Sequence, residues 1–414
     1  MKGNEFDMFI CYTRKHLRRG GAIDLVLDNT QLSDVIIAGT NPTKGEMFHR
    51  TILSFGTILF GLHNRAASIL DQGHAMHGVA LKQLNQALSD PKCYYRDDVM
   101  LSVATLAILE CVVPTGPKNY LKHMIGLERL LYLRGPGLGC STLTFEIYKS
   151  VRHMILFASL RTGRPSILAG QEWKDLFRAN CSRDEILEQD LFDILADCTI
   201  LISQRDIMLA RSELDPESDT RWQDEMYQTG LGLLAQLGIW RQLWERDSRN
   251  FYSETTRLAI GEVFPGISTS PFVSLFEFCN ESAAIMLMFY NTTLIYVLRI
   301  LASLVRKGPG TLSSAITVQG IWQDPELLDD SWPNAEDEYL SAERLAALEV
   351  CRCVPYYALQ RSKSTDSHSS PIVQWAISTA WMTLSGNDSA EGKWIMSLVN
   401  ATSLAIVSKG VWKG

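Results

Sequence analysis

The chain has 414 residues, with 39 Lys plus Arg against 46 Asp plus Glu, a formal net charge of −7, and 46% hydrophobic and 21% charged residues. This is the profile of a packed soluble protein long enough for a large core, and it excludes collagen-like, disulfide-scaffolded and extensively disordered classes. The acidic balance also argues against direct DNA binding, which needs a basic face.

Residues 1–45, with Gly20-Gly21 and Asn41-Pro42, read as a less regular lead-in, strand-like only at Ser33–Ala38, and 46–414 as one all-α domain. Leu70, His74, His77, Leu81, Leu84 and Leu88 recur by fours and threes, which places them on one helical stripe, and Asp90-Pro91 ends that helix. Val99–Val113 is apolar on nearly every face except at Glu110, the pattern of a helix buried all round, and Pro114, Gly116 and Pro117 break it. Asn119–Leu133 stops at Arg134-Gly135-Pro136, where glycine caps the helix and proline prevents continuation. Further helices are expected at Phe145–Arg161, Glu185–Leu214, Asp219–Arg246, Phe272–Arg306, Ala335–Leu359, Pro371–Leu384 and Lys393–Lys409. Lys307–Asp330 and Arg361–Ser370 read as loops, and neither an internal repeat nor a sharp composition shift divides the chain. The charge-free run Ser282–Leu298 falls short of the roughly 20 residues of a spanning helix. It also contains Asn291, Thr292 and Thr293, so it is expected in a protein core and not in a membrane.

The nine cysteines, at 11, 93, 111, 140, 181, 198, 279, 351 and 353, are odd in number and scattered. Met1–Tyr12 has no small-residue cleavage site, so reduced thiols in an intracellular compartment are expected.

Several stretches carry a resemblance. They are His77-Gly-Val-Ala-Leu-Lys-Gln-Leu, Ala-Ile-Leu-Glu110, and Tyr120-Leu-Lys-His123-Met-Ile-Gly-Leu-Glu-Arg-Leu-Leu-Tyr-Leu-Arg-Gly-Pro136. Arg161-Thr-Gly-Arg-Pro165 with Glu172-Trp173, Phe289-Tyr290 with Leu298-Arg299-Ile300-Leu301, and Trp394 with Val411-Trp412 continue it. In this order, over about Phe48 to Trp412, the chain resembles the regulatory domain of fungal zinc-cluster transcription factors. The resemblance implies an α-helical superhelix or bundle that, in regulators, senses signals or partners while a separate module binds DNA. That module holds two zinc ions in a six-cysteine cluster. Residues 1–90 here contain one cysteine, Cys11, and neither coiled-coil heptads nor the usual linker follow.

The candidate chemistry is sparse. The spacing of His74 and His77 suits metal binding or an acid–base pair, or else a hydrogen-bonded core or interface pair. Glu110, a carboxylate in an apolar helix, must find a partner or shift its pKa, and His123 or Arg129 can supply that partner. A structural pair and a proton donor are both open readings of it. Arg14–Arg19 is a basic run that suits an import signal, a phosphate patch or a solvated surface, and Trp322, Leu327, Leu328 and Trp332 sit in an acidic loop. Cys351-x-Cys353 lacks a companion pair, so no metal site is expected there. No nucleotide-binding, zinc-hydrolase or serine-hydrolase motif occurs either, so no cofactor is expected. Met288, Tyr290, Tyr356, Tyr357, Trp375 and Trp381 are the candidate lining of an apolar ligand pocket, against the plainer reading of core side chains.

Two functional readings follow. In the first, the chain is a repurposed regulatory body that binds an apolar metabolite and promotes its cofactor-free cyclisation or isomerisation, with Glu110, His123 and Arg161 polarising it or moving protons. The alternative is a transcriptional regulator or co-regulator without its own DNA-binding domain. It would dock on a protein partner, or pair as a homodimer, and reside in the nucleus instead of the cytoplasm.

Overall fold

The fold is known from a computed structural model, which describes residues 7–13, 46–113, 116, 119–137, 141–211, 216–256, 267, 269–305, 335–363 and 370–402. The strand-like Ser33–Ala38, the basic run Arg14–Arg19, the acidic loop with Trp322 and Trp332, and Val411-Trp412 lie outside these residues. The chain divides into two compact units, one of Met1–Ala158 with Thr365–Pro371 and Ile406–Gly414, the other of Ser159–Ser364 with Ile372–Ala405. The division falls within a helix, where no change of composition marks it.

In the first unit a helical segment at 7–13 is followed by α1 (Glu46–His63), α2 (Ala67–Leu88), α3 (Asp97–Val112), α4 (Asn119–Arg134) and most of α5 (Thr142–Thr162). α1 packs on α2 and α3, and α3 on α4. The α1–α2 approach is close enough to require glycine: a Cβ at Gly73 would lie 2.9 Å from the Ile58 backbone nitrogen. α3 carries Asp97 and Asp98 in its first turn, where acidic side chains favour the helix dipole, and Val99–Leu109 is then buried on all sides. α4 ends as its sequence requires, with Gly135 at φ +71°.

The second unit continues with α6 (Gln171–Ala179), α7 (Ile186–Arg211), α8 (Pro216–Glu245), β1 (Tyr252–Thr255), β2 (Leu275–Phe278), α9 (Glu281–Leu304), α10 (Ala335–Lys363), α11 (Pro371–Thr383) and α12 (Ala390–Ala401). α9 is its axis and packs along α7, α8 and α10. By length and composition α9 could cross a membrane, yet most of its side chains are buried inside the protein, as a core helix requires. Asn291, Thr292 and Thr293 are accommodated there because each donates to the carbonyl one turn back.

The all-α expectation holds for these elements with one correction. Phe272–Phe278 is not the start of the long helix. Leu275–Phe278 instead pairs antiparallel with Tyr252–Thr255, Tyr252 opposite Phe278. Its alternation, with Glu277 exposed between buried Phe276 and Phe278, is the strand period. α9 begins only at Glu281, capped by the Asn280 side chain, which accepts from the Ala283 amide at 2.8 Å. α1 and α6 carried no expectation from the sequence.

Candidate functional site

Three helices of the first unit bring the polar candidates together. Glu110 is buried near the end of α3, His77 is half-buried on α2, and His123 is half-buried on α4. Burial lowers the pKa of His123, and the Glu110 charge draws it back up while Lys122 pushes it down. The same balance acts on His77: burial lowers it, Glu110 raises it, and His74 and His123 lower it further. The sequence offered His123 or Arg129 as partner to Glu110, and the structure couples Glu110 to His123 and, in addition, to His77. Arg129 stands instead on the exposed edge of α4, its guanidinium carbon 5.1 Å from the centroid of the Tyr132 ring. His74 departs from expectation. It is exposed, because the buried face of α2 runs through Gly73, Ala80 and Leu84 and leaves His74 on the flank. It therefore does not form a core pair with His77, and no metal-holding cluster occurs among the described residues.

His123 also lines a half-open cleft of about 430 Å³. Leu81, Leu84, Asn85 and Leu88 of α2 form one wall, and Lys122, His123, Gly126, Arg129, Leu130 and Leu133 of α4 form the other. Val103 of α3 and Tyr94 complete the lining. Helical spacing explains both walls: Leu81, Leu84 and Leu88 are three to four apart, as are His123, Gly126, Leu130 and Leu133. Gly126 opens the middle of the α4 wall, and a Cβ there would meet nothing within 4 Å. His77 lies one turn before Leu81, and its Nδ1 is buried without a hydrogen-bond partner.

One end of the cleft is anchored by Arg134, whose side chain is 3% exposed. Its Nε donates to the Tyr94 carbonyl at 2.7 Å, Nη1 to Asp97 at 2.9 Å, and Nη2 to the Arg96 carbonyl. Thr144 donates to the same Asp97 carboxylate at 3.0 Å. The C-terminus of α4, the N-terminus of α3 and Tyr94 are thereby tied together, which holds the walls at fixed separation.

The remaining candidates lie in the second unit. Arg161, at the end of α5, directs its guanidinium at the Met382 thioether. Met288, Tyr290, Tyr356, Tyr357 and Trp375 are buried core side chains. Tyr290 stacks on Trp240 with centroids 5.0 Å apart, Tyr356 meets Phe278 at 5.4 Å, and Trp375 meets Phe289 at 6.2 Å. Trp381 covers Gly386. None of the six lines the cleft described above.

Sequence reasoning missed a polar cluster beside these rings. Arg241 donates to Glu245 at 2.6 Å and to Tyr252 at 2.7 Å, stands over the Trp244, Tyr252 and Tyr290 rings, and has Glu349 at 3.9 Å. Burial raises the pKa of Glu349 against the pull of Arg241 and of the Asn291 amide, which donates to it at 3.0 Å. Tyr290 Oη, Trp244 Nε1 and Asn291 Oδ1 are buried there without partners, a polar setting of the kind that holds internal water.

A 97-residue stretch of the chain is 32% identical to part of a protein of Emericella nidulans described as uncharacterized protein AN5342. The stretch covers 23% of this chain and 21% of that protein, so the similarity spans about a fifth of the relative's length. No family model matches the chain, and no solved structure matches it.

Proposed function

We propose that the first unit binds an apolar small molecule between α2 and α4 and promotes a cofactor-free isomerisation or cyclisation of it, with His123 as the proton-moving group. The observation that carries this reading is the placement of His123 in the wall of a leucine-lined cleft, with the buried Glu110 charge acting on it from α3. Burial favours the neutral imidazole near pH 7, which is the state of a general base. The imidazole takes a proton from an activated carbon of the ligand and returns it at a second position, so atoms balance with no co-reactant. The Glu110 charge favours the imidazolium formed between the two steps. Such a base contributes a rate factor of about 10² to 10⁴, and the cleft adds orientation by holding one conformer.

The test is deletion of the gene in the source organism, with complementation by the wild-type chain and by His123→Gln, reading metabolites and transcripts together. The expected result is steady transcripts, with one intermediate accumulating in both the deletion and the His123→Gln strain. Full complementation by His123→Gln overturns the proposal. A collapse of pathway transcripts that His123→Gln restores replaces it with the regulator reading.

A further inference from the structure

We infer that the ligand of this cleft is an apolar acid whose carboxylate is held by Lys122 and Arg129 over the gap at Gly126; the inference rests on the reading of the cleft as a ligand site. Lys122, Gly126 and Arg129 fall on one stripe of α4 at spacings of four and three. The two cationic residues are about 10 Å apart along the helix axis; Lys122 rests on Asn119 and Arg129 on Tyr132, on either side of Gly126, so both flexible ends must swing inward to meet one carboxylate. Between them Gly126 leaves open space where any other residue would place a side chain.

The other arginines around the cleft are matched with carboxylates, Arg96 with Asp98 at 2.5 Å and Arg134 with Asp97 at 2.9 Å. Among the described residues Lys122 and Arg129 have no carboxylate partner. Lys122 donates to Asn119 at 3.1 Å, and Arg129 is steadied by the Tyr132 ring. Below this pair the lining is aliphatic, from Leu84, Val103 and Leu130. Paired cations above an aliphatic floor fit a molecule with one anionic end and an apolar body. A neutral hydrocarbon would leave the cations without use, and a polyanion would find only the Asn85 amide as a further donor on the leucine wall.

The experiment is calorimetric titration of the full chain with decanoate and with 1-decanol, on the wild type, on Lys122→Gln/Arg129→Gln and on Gly126→Trp. Both substituted cations are exposed, so the fold is retained, which circular dichroism checks. The wild type is expected to bind decanoate about ten to a hundred times more tightly than 1-decanol. Its decanoate affinity is expected to fall with added salt. The double variant is expected to bring decanoate down to the level of 1-decanol without changing 1-decanol, and Gly126→Trp to abolish both. If the two probes bind the wild type equally and Gly126→Trp abolishes both, the acid inference falls and the cleft reading stands. If neither probe binds, or Gly126→Trp leaves binding intact, both fall.

Discussion

Gly126 offers the sharpest test of the cleft. It is an interior residue of α4, where glycine costs about 1 kcal/mol relative to alanine because more backbone freedom is lost on folding. A methyl at that position meets nothing within 4 Å, so no overlap offsets the gain. Gly126→Ala is therefore expected to stabilise the first unit by about 0.5–1 kcal/mol, or about 1–4 °C in melting temperature. Gly73 is the internal contrast. A Cβ there would stand 2.7 Å from Ile58 Cγ1 and 2.9 Å from the Ile58 backbone nitrogen. Gly73→Ala must push α1 and α2 apart and is expected to cost about 1–3 kcal/mol despite the same gain in helix propensity. Urea denaturation followed by far-ultraviolet circular dichroism reads both variants. A lowered midpoint for Gly126→Ala, or an unchanged one for Gly73→Ala, refutes the placement of α4 beside an open cleft and of α2 against α1.

Three further outcomes are expected. Arg134→Met removes the ion pair to Asp97, which keeps Thr144, and the donors to two carbonyls, and should lower stability by about 1.5–3 kcal/mol in the same denaturation assay. In the second unit Arg241→Met should cost about as much, because buried Glu349 loses the pull of Arg241 and keeps only the weaker pulls of Arg352 and the Asn291 amide. Glu349→Gln should cost under about 1 kcal/mol, because Arg241 keeps Glu245 and Tyr252. A double-mutant cycle should then show the two losses to be less than additive. The third concerns acid. Burial, with Arg152 adding to it, pushes the His153 imidazole on α5 down to about 3. The unfolded chain therefore binds this proton below pH ~6.5 while the folded chain does not. Stability should fall as pH drops from about 6.5, by up to ~1.4 kcal/mol per pH unit from this residue, and His153→Leu should flatten that limb in a pH series of melting temperatures. An unchanged slope in the variant argues that His153 is solvated.

Much of the helical order is legible residue by residue. The stop at Arg134-Gly135-Pro136, the all-apolar run of α3 and the break at Asp90-Pro91 are local, and the structure has each of them. Glu110 stands out because a carboxylate in an apolar helix needs a partner, and its charge acts on both His123 and His77. The β1–β2 pair was not legible, because its strands are four residues long and their hydrogen bonds join segments about twenty residues apart. His74 and His77 differ in exposure although their spacing puts both within one stripe, because burial depends on where the neighbouring helix lies.

The aromatic candidates show the same boundary from the other side. Tyr290 and Trp375 have the composition of pocket walls, but both are buried against neighbouring rings. Helix limits, caps and the one conspicuous buried carboxylate were decided by the sequence, because propensity, proline and glycine act within a few residues. The cleft and the open space beside Gly126 were decided only by tertiary structure. A cleft is the space left when α2 and α4 pack on either side of α3, and no stretch of one helix records the distance to another.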